Sequence, residues 1–266
     1  MTSINTAPAP AAASATATTP GTFTTPGTFT TPGTFATPGT CATPGTAAAP
    51  ETALPPGALP AQGRPLPAEL LPRLAEADLL DSPADWRPAA TRAGLFRLEP
   101  VRPARDRKLI ARWMNDPEVA AFWGLAGPSL VTAAHLSAQL AGDGRSIPCL
   151  GLLDGTPMSY WEIYRADLDP LAAHYPARPE DTGIHVLIGE AADRGRGLGT
   201  VLLRTVADMI LDNRPRCTRV VAEPDLRNTP SVAAFLNAGF RLAAEIDLPD
   251  KRAALMLRDR ALRTLL

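Results

Sequence analysis

The sequence predicts an α/β domain with a mixed central sheet flanked by helices, carried behind a disordered N-terminal extension. Three observations carry this expectation. From Gly94 onward, short strand and helix signals follow one another in the order β, α, α, β, β, β, α, β, α, β, β. The αβ crossovers in that order require parallel neighbours, and the closely coupled strand pairs require antiparallel ones, so the sheet must be mixed. Residues 1–50 hold no charged side chain, and 41 of the 50 are Ala, Thr, Pro or Gly. Such a stretch buries too little apolar area to offset the entropy of ordering it.

Residues 20–49 are five tandem hexads: P-G-T-F-T-T twice, then P-G-T-F-A-T, P-G-T-C-A-T and P-G-T-A-A-A. A hexad repeat can build a β-helix, but each copy here offers at most one large apolar side chain beside an adjacent Pro-Gly. That composition predicts a flexible tail. Residues 51–93 read as a Pro-rich connector in which Ala68 to Leu80 can form a short helix, and 94–266 is the globular domain.

Within the domain Leu95–Val101 alternates as a strand does, and Asp106–Asn115 has helical spacing that stops before Asp116-Pro117. Ser129–Leu140 is a second helix with Ser129 as its N-cap. Strands at Pro148–Leu153 and Met158–Tyr164 are joined by Asp154-Gly155, a strong hairpin signal. Ile184–Ile188 is an apolar strand, and Leu198–Leu211 a helix with Leu202, Val206 and Ile210 on one face. Arg219–Glu223 is a strand, Pro230–Asn237 a helix ended by Gly239, and Arg241–Ile246 with Ala253–Arg258 a closing hairpin.

Composition excludes several classes of function. The net charge is −1, and the 26 basic residues are 24 Arg and two Lys, Lys108 and Lys251, with no basic stripe of the kind that marks nucleic-acid binding. No signal-peptide pattern and no apolar run of about 18–20 residues occurs, which predicts a cytoplasmic protein without a membrane partner. Cys41, Cys149 and Cys217 have neither disulfide-framework nor metal-ligand spacing, and His135, His174 and His185 are too scattered to suggest a metal site. Cys149, Cys217, Phe235 and Phe240 read as core.

The chemistry is concentrated after the strand at 184–188, where Arg194-Gly195-Arg196-Gly197-Leu198-Gly199 opens a helix. Glycines at 195, 197 and 199 leave backbone N–H groups unobstructed at the positive end of that helix, a ready site for phosphate oxygens. The string has neither the Lys-Ser/Thr of a P-loop nor G-x-G-x-x-G spacing.

Arg194-x-x-Gly197-x-Gly199 after a strand and opening a helix resembles the GNAT superfamily of acyl-CoA-dependent N-acyltransferases, as does the element order from 94 to 260. Four further stretches resemble its siderophore branch: Trp113-Met114-Asn115-Asp116-Pro117 with Phe122-Trp123, Tyr160 to Arg165, Gly183 to Ile188, and Glu223 to Asn228. The resemblance implies a GNAT fold, and acyl transfer from acetyl-CoA or succinyl-CoA to the hydroxylamine nitrogen of N-hydroxylysine, N-hydroxyornithine or N-hydroxycadaverine, with no metal. It implies that Arg194, Gly195, Arg196, Gly197, Leu198 and Gly199 hold the pyrophosphate and that Asn228 contacts the pantetheine arm; an Asn at a helix start is equally a cap. It further implies His185 as general base, Asp225 meeting it across a gap between strands, and a backbone N–H of Val186, Leu187 or Ile188 facing the developing oxyanion. The ordinary alternative for Asp225 is a turn or helix-cap residue. Trp123, Trp161, Glu162 and Tyr164 are expected to line the acceptor pocket, Glu162 receiving the far ammonium of a diamine. An aminoglycoside or protein N-terminus as acceptor, or a non-catalytic acyl-CoA-binding module, are the competing readings.

Overall fold

The computed structural model describes Leu80 and residues 82–141 and 144–263. The hexad repeats and the helix expected over Ala68 to Leu80 lie outside the described residues, apart from Leu80 itself, which packs into the core. The elements are β1 (Ala89–Thr91), β2 (Gly94–Pro100), α1 (Pro103–Met114), α2 (Pro117–Trp123), α3 (Ser129–Leu140), β3 (Ser146–Leu153), β4 (Thr156–Arg165), β5 (Thr182–Ile188), α4 (Leu198–Asn213), β6 (Arg219–Ala222), α5 (Thr229–Asn237), β7 (Arg241–Asp247) and β8 (Arg252–Asp259). One mixed sheet holds all eight strands in the order β1-β2-β3-β4-β5-β6-β8-β7, and β5–β6 is its parallel pair.

Each sheet face is covered by the helices whose apolar stripes match it. On one face Leu202, Val206 and Ile210 of α4 and Phe235 of α5 pack against Trp161, Ile163, Ile184 and Met256. On the other, Ile110, Trp113 and Met114 of α1, Val119 of α2 and Leu136 of α3 pack against Leu150, Leu152, Tyr160 and Leu187. Strand alternation divides β4 and β5 between these two cores. Cys149, Cys217, Phe235 and Phe240 are buried, the two Phe rings meeting edge to face at 5.0 Å. The Asp154-Gly155 turn has positive φ at both residues (49° and 81°), as a two-residue hairpin of this type requires.

Three local readings change. The sheet begins before Gly94, because Ala89–Thr91 pairs with Gly94–Phe96 inside the stretch read as connector. Asp116-Pro117 starts a helix: Asp116 accepts the Glu118 N–H and Pro117 takes the first helical position, where its missing N–H costs nothing. Ser129 is the first residue of α3, and Pro128 occupies the cap position.

β5 and β6 pair only at Thr182–Val220 and Gly183–Val221, and beyond that the two strands diverge. The resulting gap opens at the C-terminal end of β5, directly before the glycine-rich turn. The backbone there is tightly packed, since a Cβ on Gly189 would lie 2.1 Å from Cε2 of the buried Trp113. Gly189→Ala is therefore expected to destabilise the domain by about 1–3 kcal/mol through overpacking, read as a lowered urea midpoint at unchanged slope.

Candidate active site

β5 carries His185 on the face covered by α1, α2 and α3, and the neighbouring strands bring a carboxylate to each ring nitrogen. Glu162 of β4 stands opposite His185 in the antiparallel register, and His185 Nδ1 donates to its Oε2 at 2.9 Å. On the other side the parallel register that matches Gly183 with Val221 sets residue 223 level with His185, and His185 Nε2 donates to Glu223 Oε1 at 2.5 Å. Both carboxylates are buried, 2% and 7% exposed, whereas His185 is 25% exposed and reaches the open gap.

The remaining donors complete the charge balance. Glu162 Oε1 also accepts from Tyr160 Oη at 2.9 Å and from His135 Nε2 at 2.5 Å, and Glu223 Oε2 accepts from Tyr164 Oη at 2.8 Å. Lys251 Nζ lies 3.7 Å from Glu223 Oε1. Burial pushes Glu162 up, but the hydrogen bonds from His135 and His185 outweigh it and hold the carboxyl at about 2. Burial likewise opposes ionisation of Glu223, yet the charges of His185 and Lys251 bring it down to about 2. For His185 burial favours the neutral ring, and the two carboxylates override it and raise the pKa to about 10. An ionised carboxylate can only accept, so both ring nitrogens of His185 must carry hydrogen and the resting group is an imidazolium. Burial and the adjacent Glu223 charge hold the Tyr164 phenol far above its ordinary value, so it remains a donor.

Strand geometry decides which backbone groups face the gap. Gly189 N–H donates to Met158 O, so by antiparallel alternation Leu187 and His185 direct their backbone groups toward β4. Val186 and Ile188 direct theirs to the opposite edge, into the gap that β6 has left. The Ile188 carbonyl there accepts from Arg194 Nε at 3.1 Å.

The glycine-rich turn is built to keep backbone exposed. Gly195 and Gly197 take φ of 71° and 76°, left-handed values that favour glycine, and a Cβ on Gly195 would meet nothing within 4 Å. Gly197 caps α4, whose first N–H groups lack intrahelical partners. The Arg196 side chain is exposed, 3.6 Å from Asp193. Leu198 and Gly199 begin α4; the Leu198 side chain packs against the core and a Cβ on Gly199 would touch Ala234, so only their backbone is available to an anion.

Several expectations change in this geometry. Asp225 does not meet His185: the chain leaves the β6 ladder after Ala222, Asp225 bridges to Ala253 of β8, and its carboxylate is held by the Arg227 guanidinium and N–H. Glu223, missed in the sequence, occupies the position assigned to it. Trp161 points into the opposite core, donating to Ser159 Oγ and packing on Phe96, because it alternates with Glu162 along β4. Glu162 has its oxygens filled by protein donors and is not free for a substrate ammonium. The Arg194 side chain turns inward, to the Ile188 and Gly189 carbonyls and to Asp116 and Glu118, so it straps the turn to β5 and α2 and is not directed at phosphate. Asn228 caps α5 by accepting from Ser231 N–H. Trp123 and Tyr164 do flank His185, with ring centroids 6.2 and 4.8 Å from the imidazole. Tyr160, His135 and Lys251 were also missed, and only Tyr160 and Glu162, two apart on one strand, left a local trace.

The family described as acetyltransferase (GNAT) domain matches residues 102–248. The chain is 35% identical over 198 residues to the lysine N-acyltransferase MbtK of Mycolicibacterium paratuberculosis, covering 73% of this chain and 87% of that protein. It is 38% identical over 175 residues to the N(6)-hydroxylysine O-acetyltransferase of Escherichia coli, covering 66% of this chain and 55% of that one. The structure of AAC(6')-Ib in complex with ribostamycin and coenzyme A superposes with a TM-score of 0.56 at 26% identity, over 62% of this chain and 94% of that one. Among the described residues no helix is long and apolar enough to cross a membrane.

The charge assignment predicts a pH dependence of stability. The His185 pKa is raised from 6.5 to about 10, so its contribution is complete below pH 6.5 and is lost as pH rises through 10. Glu162 and Glu223 are lowered from 4.5 to about 2, so theirs is complete above pH 4.5 and is lost as pH falls through 2. The thermal midpoint should decline from pH 6.5 to 10, and His185→Gln should remove that decline; a wild-type midpoint that stays level over this range contradicts the assignment.

Proposed function

The chain belongs to the family of GNAT acetyltransferase domains and is an acyltransferase, and on that premise we propose that it transfers an acyl group from acetyl-CoA or succinyl-CoA to the hydroxylamine nitrogen of N-hydroxylysine, N-hydroxyornithine or N-hydroxycadaverine, giving a hydroxamate for siderophore biosynthesis. The observation that carries the proposal is the imidazolium–carboxylate pair of His185 and Glu223 at the mouth of the β5–β6 gap. The names of the relatives support the acceptor class, since one acts on hydroxylysine by its name.

The residues present suit an acyl-CoA. The backbone of Gly195, Arg196, Gly197, Leu198 and Gly199 offers N–H donors to the pyrophosphate, strapped in place by Arg194, and the unpaired edge at Val186 suits the pantetheine arm as it passes Asn228. The donor supplies a thioester carbonyl. Val186 N–H donates to the carbonyl oxygen as it gathers negative charge. A hydroxylamine is less basic than an alkylamine, so it enters largely neutral and needs chiefly orientation beside Trp123 and Tyr164.

The general-base role assigned to His185 passes in this geometry to the Glu223–His185 pair. As the N–C bond forms and the C–S bond breaks, the His185 imidazolium turns its Nε2 proton from Glu223 Oε1 to the departing sulfur, and the Oε1 it releases takes the proton from nitrogen. Glu223 then returns its proton to His185, and the pair ends as it began. No proton is gained or lost overall, and no acyl-enzyme is needed.

A polycationic acceptor such as an aminoglycoside fits less well, because the nearby carboxylates are already engaged. Asp167 binds Arg165, Asp169 caps Leu171, and Glu162 and Glu223 are held by His135, His185 and Lys251.

Incubation of the protein with each hydroxylamine and either acyl-CoA should give both free thiol and ferric-hydroxamate colour for at least one pair. Thiol release without colour would mean transfer to oxygen or to water and would overturn the hydroxamate assignment, and neither signal from any pair would overturn the reading as a whole. Glu223→Gln should lower kcat roughly 10²–10⁴-fold, the range a proton-transfer group supplies, with the coenzyme A Kd unchanged within experimental error in calorimetry.

A further inference from the structure

Proton transfer uses one side of His185, yet the other side is equally built. From α3 to the segment before β8 five charged or titratable groups stand in line: His135, Glu162, His185, Glu223 and Lys251. His135 is 16% exposed on α3, remote in sequence from every motif of the site, and its Nε2 donates to the same Glu162 carboxylate that faces His185 Nδ1. Glu162 is fully enclosed, with Oε1 shared by His135 and Tyr160 and Oε2 given to His185. A carboxylate pinned at one oxygen by two donors cannot rotate, so its second oxygen has a fixed aim.

We infer that His135 is a positioning residue for His185, acting through Glu162: it locks the carboxylate that orients the imidazolium with Nε2 toward Glu223 and the gap. The inference rests on the acyl-transfer reading for its kinetic consequence, but the geometry it describes belongs to the free protein. The groups facing His185 are Glu162 and Tyr164 from β4, Glu223 beyond β6 with Lys251 behind it, and the Trp123 ring from α2. Asp169, in the turn after β4, adds a more distant charge. Of these, Glu162 is the one that contacts Nδ1, and His135 and Tyr160 hold its other oxygen. Losing the His135 donor leaves Tyr160 alone on Glu162 Oε1, so the carboxylate can turn and Oε2 loses its fixed aim at His185 Nδ1.

Gln serves as the rescuing residue at 135, because its terminal amide donates at nearly the reach of His Nε2 and does not titrate. His135→Ala should lower kcat for hydroxamate formation roughly 10-fold, as loss of a group that orients a functional His does, with KM for the acyl-CoA within about 2-fold. His135→Gln should recover most of that loss. In the free protein His135→Ala should also move the alkaline decline of the thermal midpoint to lower pH, and His135→Gln should restore it. An unchanged alkaline decline in His135→Ala overturns the inference, as does a His135→Gln variant as impaired as His135→Ala. Absence of hydroxamate formation by the wild type would instead sink the acyl-transfer reading, and the stability comparison would still decide the part played by His135.

Discussion

Two ionised carboxylates stand on either side of a single imidazole, and the placement of the surrounding elements follows from keeping that arrangement affordable. Burying a charge costs several kcal/mol unless it is paired and hydrogen-bonded. Glu162 and Glu223 therefore draw five donors from four elements or their flanks: His135 on α3, Tyr160 and Tyr164 on β4, His185 on β5 and Lys251 just before β8. Removing the central cation leaves two buried anions facing one another. The same pairing determines the resting charge of His185, and so which group can accept a proton and which can give one.

The sheet converts this local pairing into a site. Antiparallel register fixes Glu162 opposite His185, and the parallel register that ends at Gly183–Val221 brings Glu223 level with it just where β5 and β6 part. The parting exposes backbone donors of β5 on the edge next to the imidazolium. The same strand runs through Gly189 into the glycine-rich turn, which Arg194 ties back to the Ile188 and Gly189 carbonyls and across to Asp116 and Glu118. His185, the gap-facing backbone of Val186 and the glycine-rich turn thus hang on one rigid element, and their relative positions are set by a strand.

Much of this was legible in the sequence wherever the signal is local. Helical spacing over Leu198–Leu211, the Asp154-Gly155 hairpin and the closing strand pair all appear where periodicity and turn chemistry put them. The glycine turn was legible for the same reason, lying on a short, strongly patterned segment, whereas His185 was marked by the family resemblance of Gly183 to Ile188. What stayed hidden depends on register or on contacts distant along the chain. Choosing Glu223 over Asp225 requires knowing how β6 aligns with β5 and where it leaves the ladder. Arg194 looked like a phosphate ligand because its partners Asp116 and Glu118 lie nearly 80 positions away. His135 had no sequence mark at all, since nothing in Ser129–Leu140 says that α3 brings residue 135 to Glu162 of β4. Trp161 was a different kind of miss: strict alternation already separates it from Glu162 and Tyr164, and its aromatic character was given more weight than its parity.

The charge state of His185 is open to direct observation. Side-chain nitrogen resonances from protein labelled with 15N-histidine, assigned by comparison with His185→Gln, report whether each ring nitrogen carries hydrogen. An imidazolium with both nitrogens protonated at pH 7, persisting above pH 8, is the predicted result. A single neutral tautomer at pH 7 would show that the two carboxylates do not hold the proton on His185, and the division of proton transfer between Glu223 and His185 would fall with it.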